Sequence, residues 1–481
     1  MRSTFMGLET ARRGLSTQQY ALETTGNNIA NANTPGYTRQ RVNFEPTEPY
    51  PPKGMNRPEL PGQMGTGVKA GTIQRVRESF LDLQYRQENT KYGYWNTRAD
   101  ALARMEEILN EPSEEGLSRV LDRFWQALQD LATTPDDPGA RSVVRERALA
   151  VADTFHYLSQ SLLTLRSNIE YDIEVTVKEI NSIAVQLDNI NKQIAGIEPH
   201  GYLPNDLYDE RDRLLDRLSE LVDIRIDYKK YDERRFPLAE GTVSVSIVGA
   251  GHQLVDGHGL TYSEIDTSID VSAQVQTGKL SSLKEMYDKY TEMLNYLDEM
   301  AYAFVKEFNA VHRQGYTIAT DADGNKMTGV DFFVEFADGE IEGAARNIKL
   351  DDRILGSLDY IAASATGAVG NGGNALKLAE VKYQTIAIDG KLQGKTIQGF
   401  FQEIIGELGV NAQEANRMKN NTDALRVSVD VRRESVSGVS LDEEMINLVR
   451  FQHAYNASAR LITVIDQMLD KIINGMGIVG R

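Results

Sequence analysis

Apolar residues recur at alternating steps of four and three at both ends of this chain. The first row runs Thr4, Leu8, Ala11, Leu15, Gln18, Leu22, Thr25 and Ile29. The second runs Leu441, Met445, Leu448, Gln452, Tyr455, Ala459, Ile462, Asp466, Leu469, Ile473 and Met476, and Phe451 and Ile465 can complete its seam. This spacing is the heptad period of a coiled coil. At ~1.5 Å per residue the two helices span roughly 40 and 50 Å, enough to pair along most of their length. Termini are usually the loosely held part of a domain, so long amphipathic helices there mark a working surface. A two-helix pair leaves one face apolar or lined with small residues, and isolated helices are marginal without packing. Both ends are therefore expected to be weakly ordered in a single copy and to fold when copies pack side by side. The competing expectation is that they dock on the chain's own body.

The interior is read as mostly helix. From Val144 through Phe155, Leu165, Ile180 and Ile190 to Ile197 one register holds for a length on the order of 80 Å. Glu198-Pro199-His200-Gly201 breaks it, and Leu207, Leu214, Leu218 and Leu221 predict a returning helix. A third long helix is predicted from Leu280 to Val311, and a fourth around Ile397, Phe400, Ile404 and Leu408, continuing toward Leu425. Period-two alternation in IRIDY and TVSVSIV, with the turn-rich GAGHQLVDGHGL, predicts a small β subdomain over 224–279. The stretch 315–395 mixes strand-like and loop-like pieces around Gly367, Gly370, Gly372 and Gly373. The expected fold class is mainly α with a smaller β part. It comprises a coiled-coil-like terminal pair (1–45 with 437–481), an elongated helical bundle (46–223 with 280–314 and 396–436), the β subdomain, and an irregular 315–395 segment.

After Ala30 the residues Asn31, Asn33, Thr34, Pro35, Gly36 and Tyr37 end the first helix. Thr34-Pro35-Gly36-Tyr37 fits a type II turn, because Pro sets φ at the second position and Gly supplies positive φ at the third. From Tyr37 onward Pro46, Pro49, Pro51, Pro52, Pro58 and Pro61 predict an extended connector rather than a packed domain.

Composition narrows the function classes. A length of 481 residues is enough for two to four domains. The net charge of -18 argues against a nucleic-acid partner, which needs clustered Lys and Arg. No apolar run of the ~18 residues needed for a membrane span occurs. Met1 to Leu15 carries Arg12 and Arg13 without an apolar core, so export, if it occurs, is expected to proceed without a cleaved signal peptide. The absence of cysteine excludes disulfides and thiolate metal sites.

The search for catalytic chemistry returns no candidate residue. Asp321, Asp323 and Asn325 begin like a calcium loop, but Lys326 and Phe332 stand where Gly and Glu are required. His252, Asp256 and His258 lie among glycines, where a β-turn explains them. No phosphate loop, GxSxG, HExxH or CxxC is present. The acid pairs Glu114-Glu115 and Glu443-Glu444 sit near helix starts, where the macrodipole favours them. Ser440 with Glu443 forms a Ser-x-x-Glu capping box. The reading is of a protein that is not an enzyme and uses no cofactor or metal.

The stretch from Gly7 to Val42, GLETARRGLSTQQYALETTGNNIANANTPGYTRQRV, resembles the N-terminal signature of the bacterial flagellar axial proteins. SGVSLDEEMINLVRFQHAYNASARLITVIDQML, from Ser437 to Leu469, resembles the matching C-terminal signature. Two interior segments, Glu111 to Arg141 and Asp206 to Ile224, are similar to those of the junction proteins between hook and filament. The resemblance implies a structural protein that self-assembles through its terminal helices. Its seam would be Leu8, Leu15, Leu22, Ile29, Met445, Leu448, Tyr455, Ile462, Leu469 and Ile473. It also implies subunit contacts at the turn motif. The implied partners are other copies, the hook protein, the next hook-associated protein, and an export chaperone at the C-terminal helix before secretion. The implied location is the extracellular flagellum. An outer domain is often inserted near 315–395 in this family, and some eighty residues leave it absent or reduced here. A hook or distal rod type is the alternative, and the long helical interior argues against it.

Overall fold

The computed structural model describes residues 4–51, 62–109, 116–230, 238–269, 277–320, 325–337, 339–386 and 391–475. Met476, Pro52, Pro58, Pro61, Glu114, Glu115, Asp321 and Asp323, all named above, lie outside the described residues. In chain order the elements begin α1 (Thr4–Ala30), β1 (Gln40–Pro46), β2 (Val68–Arg75), α2 (Ser79–Leu109), α3 (Leu117–Thr133), α4 (Pro138–Ile197) and α5 (Asn205–Leu221). Four strands follow: β3 (Ile224–Lys229), β4 (Thr242–Ile247), β5 (Gln253–Asp256) and β6 (Thr261–Tyr262). The rest are α6 (Lys279–His312), α7 (Ala344–Asn347), α8 (Asp352–Gly356), α9 (Gly373–Glu380), α10 (Ile397–Ser437) and α11 (Leu441–Gly475). The chain is mainly helical with a small strand content, as its periodicity predicts.

Two compact units form. The first takes Met1–Lys91, Glu179–Ile269 and Thr422–Arg481; the second takes Tyr92–Lys178 and Asp270–Asn421.

In the first unit, α4 ends where the sequence breaks it, at Gly201 with φ +85°. The chain returns as α5, which buries Leu214, Leu215, Leu218 and Leu221. β3 to β6 form an antiparallel sheet in sequence order, with Ile224 opposite Ile247. Val243, Val245, Ile247, Leu254 and Val255 are buried in it. Asn191 of α4 holds this sheet by donating to Val243 O (2.8 Å) and accepting from Val243 N (2.9 Å).

One expectation is corrected here. The segment after Tyr37 is not simply an extended connector: β1 and β2 pair as an antiparallel hairpin from Gln40↔Arg75 to Pro46↔Val68. The ladder continues as a Tyr50–Met64 bridge, closed by N–H···O bonds of 2.8 and 2.7 Å. Pro46 stands at the end of its strand, a position where a missing N–H is tolerated.

The second unit is organised around aromatic rings. Phe124 and Trp125 of α3 and Phe304 and Phe308 of α6 meet Phe332 and Phe333, with neighbouring centroids 5.0–6.3 Å apart. Phe332, which stands where a calcium loop needs its final Glu, is therefore a core residue. The 315–395 segment carries α7, α8 and α9 and buries Val330, Ile348, Ile354 and Ile361. Asn309 clamps this segment through Phe332 N, Phe333 N and Phe333 O (2.8–3.0 Å). His312 lies fully buried beside it. Its Nε2 accepts from Ala362 N at 2.9 Å, so its Nδ1 carries the proton and donates to Val330 O at 2.7 Å. Burial pushes the His312 pKa down to about 4.

Candidate assembly surface

α1 and α11 run antiparallel. A Cβ built on Gly7 would lie 3.2 Å from Ile465 Cδ1, one on Gly14 would lie 3.2 Å from Ser458 Oγ, and Asn28 bonds Glu444 at 3.0 Å. Each step of seven along α1 is matched by a step of seven back along α11. The row of α1 that meets α11 is thus Gly7, Gly14, Ala21 and Asn28, one residue away from the expected leucine row. Small side chains let the two backbones approach closely. Across them the larger Phe451 packs edge-on against Phe44 of β1, with centroids 5.9 Å apart.

Leu8, Leu15, Leu22 and Ile29 flank this contact and are half-buried, as are Leu448, Tyr455, Ile462 and Leu469. Met445 and Ile473 stand outside it, 54% and 72% exposed. The inner face of α1, with Thr17, Thr24 and Asn28 buried, rests on the β1–β2 hairpin. Thr17 donates to Val68 O at 3.2 Å and Arg13 to Thr66 O at 3.3 Å.

A polar clasp joins the two terminal segments. Asn28 Oδ1 accepts from Gln40 N (3.0 Å) and from the Tyr37 hydroxyl (2.9 Å), while Nδ2 donates to Gln40 O (2.8 Å) and Glu444 Oε2. Arg39 holds the other oxygen of Glu444 at 2.8–2.9 Å and Glu443 at 2.7 Å, and its N–H donates to Ser437 O at 2.9 Å. Ser440 Oγ accepts from Glu443 N at 3.5 Å, while the Glu443 carboxylate is turned to Arg39. The acid pair read as a helix-start feature thus has a specific partner.

The turn motif lies beside the clasp. Tyr37 N donates to Thr34 O at 3.2 Å, Gly36 has φ +82°, and Asn31 donates to Asn27 O at 3.0 Å. Burial raises the Tyr37 pKa, and the nearby Asp209, Asp206 and Glu444 raise it further.

The clasp is backed by a charge network that hydrophobic periodicity does not reveal. Asp209, Asp212 and Asp216 share one face of α5. Arg75 pairs with Asp209 (2.7 Å), Asp212 (2.9 Å) and Glu240 (2.5 Å), and Arg77 pairs with Asp212 (2.9 Å) and Asp82 (2.6 Å). Arg86 reaches Asp212 (3.1 Å) and Asp216 (2.7 Å), and Arg433 of α10 reaches Asp216 (2.5 Å) while lying 3.9 Å over the Tyr85 ring. Burial disfavours the Asp212 carboxylate, but Arg77, Arg75, Arg211 and Arg86 outweigh it and hold the group well below the usual carboxylate range. At Asp209 burial wins over Arg75, and the pKa rises. Asp209 also accepts from Thr38 N at 3.1 Å, which ties the network to the turn motif.

Large apolar side chains face outward along α11: Leu441, Ile446, Val449, Leu461, Val464, Met468 and Ile472 in addition to Met445 and Ile473. No helix among the described residues is long and apolar enough to cross a membrane. Of the sequence's chemical candidates, Asp256 Oδ1 accepts from His258 N at 2.9 Å, which closes a local turn.

Residues 102–333 match the family model of the flagellar hook-associated protein FlgK helical domain. Residues 8–38 match that of the flagella basal body rod protein, and residues 433–475 that of the flagellar basal body rod FlgEFG protein C-terminal region. Flagellar hook-associated protein 1 of Bacillus subtilis (strain 168) is 45% identical over 516 residues, covering 100% of both chains. The protein of the same name from Salmonella typhimurium is 25% identical and covers 96% of this chain and 98% of its own. The fold is that of the flagellar hook junction protein FlgK from Burkholderia pseudomallei, with a TM-score of 0.57 at 15% identity over 74% of this chain and 100% of that one. A match that runs the whole length of both chains, with a FlgK helical domain at its centre, means that this chain belongs to the flagellar hook-associated protein 1 family.

Proposed function

We propose that this chain is a structural protein of the bacterial flagellum that connects hook to filament, and that its copies assemble through α1 and α11. The role is structural, as in its family, and not enzymatic. The observation that carries this reading is the one-sided α1–α11 pair. Its inner side is locked by the hairpin and by the Asn28–Glu444–Arg39 clasp, while its outer side presents Met445, Ile446, Val449, Val464 and Met468 to solvent. Burying a large aliphatic side chain contributes roughly 1.5–3 kcal/mol, so five or six per copy outweigh the side-chain ordering they require. In this reading neighbouring copies cover the stripe in the junction, with the hook protein and the next hook-associated protein as axial neighbours. An export chaperone covers the same stripe of α11 before secretion, and the mature location is the extracellular flagellum.

Ile446, 69% exposed, gives the direct test because its replacement leaves the packing of the single chain intact. Ile446→Asp is expected to keep the helix content of the purified protein and to be missing from isolated hook-filament junctions. Normal incorporation of Ile446→Asp would contradict the assignment of this surface.

A further inference from the structure

The apolar row of α11 continues past the point where α1 covers it. Ile465 is buried against Gly7, whereas Met468, Ile472 and Ile473 beyond it are exposed. Beside that helix end a cleft of about 740 Å³ opens between α1, α11 and the segment around the Tyr50–Met64 bridge. Phe5, Met6, Tyr50, Met64, Leu461 and Ile465 give it apolar walls, and Glu9 and Glu48 lie on its lining. Arg13 is already engaged there by Glu9 at 2.9 Å and by Thr66 O. One end of the pair therefore carries both a socket and a protruding helix.

The protruding helix does not reach its own socket. α11 forms a wall of the cleft at Leu461 and Ile465 and runs on, placing Ile473 roughly 12 Å further along the helix axis. We propose that the cleft receives the Met468–Ile473 end of α11 from a second copy, with Lys471 brought to Glu48 on the lining, since Glu9 is already paired with Arg12 and Arg13. The contact is head-to-tail: one surface meets a different surface of the next copy, and such contacts close into rings or propagate along a helical path. This rests on the assembly reading above and adds to it which surface of each copy meets which.

The absence of cysteine makes the test clean. Two differently tagged single-cysteine proteins, Tyr50→Cys and Ile473→Cys, are mixed, assembled into junctions and treated with a short bismaleimide. The expected result is a cross-linked heterodimer, reduced roughly tenfold or more when Ile472→Asp is added to the Ile473→Cys chain, a factor corresponding to about 1.4 kcal/mol of contact energy. Three results would overturn the proposal. One is no heterodimer although both variants incorporate. Another is cross-linking only between two Tyr50→Cys copies or between two Ile473→Cys copies, with none between the two variants. The last is capture of Tyr50→Cys by a protein of different mass. Incorporation of each variant, scored separately, reports on the assembly reading: if neither enters junctions, that reading falls and this inference with it.

Discussion

Asn28, Asn181, Asn191 and Asn309 act alike in four places. Each offers its side-chain amide to the N–H and C=O of one residue, respectively Gln40, Ile265, Val243 and Phe333, so a helix takes the place of a missing strand neighbour. Asn28 lies inside the N-terminal signature, but Asn181, Asn191 and Asn309 do not stand out in the sequence, because an asparagine that closes a turn and one that clamps a buried backbone read the same. Replacing Asn309 by Leu leaves three buried backbone groups, Phe332 N, Phe333 N and Phe333 O, short of a partner. It is expected to cost about 2 kcal/mol or more, read as a lowered urea midpoint for the second unit. His312 makes a pH prediction. Its folded pKa lies near 4, below the ordinary 6.5. Above about pH 6.5 both folded and unfolded chains hold it neutral. As pH falls through 6.5 the unfolded chain gains a proton that the folded chain refuses until about 4, so stability drops across that window by up to about 3 kcal/mol. His312→Gln is expected to flatten this loss in unfolding curves taken at pH 7 and 4.5. An unchanged difference between the two pH values would assign the loss to other groups.

Periodicity finds α4, α6, α10 and both terminal helices because their cores carry large apolar residues, but it misses α2, whose first half buries Asp82, Arg86, Asn89 and Thr90. The rotation of α1 against α11 is not legible. The residues that touch are Gly7, Gly14 and Ala21, which carry almost no hydrophobic signal, while the conspicuous leucines stand beside the contact. Gly14→Leu is therefore expected to force the pair apart and to raise the protease sensitivity of both terminal segments, whereas Leu15→Ala changes it little. Equal effects would place the contact row elsewhere. The β1–β2 hairpin was hidden by proline density, although the prolines crowd the segment joining the strands more than the strands themselves. On α5 the leucine row was visible but the opposite face was not, since acids at 209, 212 and 216 read as solvated until Arg75, Arg77, Arg86 and Arg433 are brought to them. Asp212→Asn leaves buried guanidinium groups uncompensated and is expected to cost about 3 kcal/mol or more in the first unit, measured by denaturant unfolding.

At the scale of the whole molecule, the polar interactions of the first unit hold the two chain ends together and the aromatic core of the second holds segments far apart in sequence. The family resemblance was readable because its signatures sit where physical constraints coincide: Asn28, Tyr37, Arg39 and Glu444 all belong to the clasp. The proposed contact between copies lies on the outward faces of α1 and α11. It is tested most directly by amide hydrogen exchange on the free protein and on the same protein within hook-filament junctions. The prediction is a gain of protection concentrated in 4–30 and 441–475, with the core of the second unit unchanged. Equal protection of those helices in the free and assembled protein would contradict it.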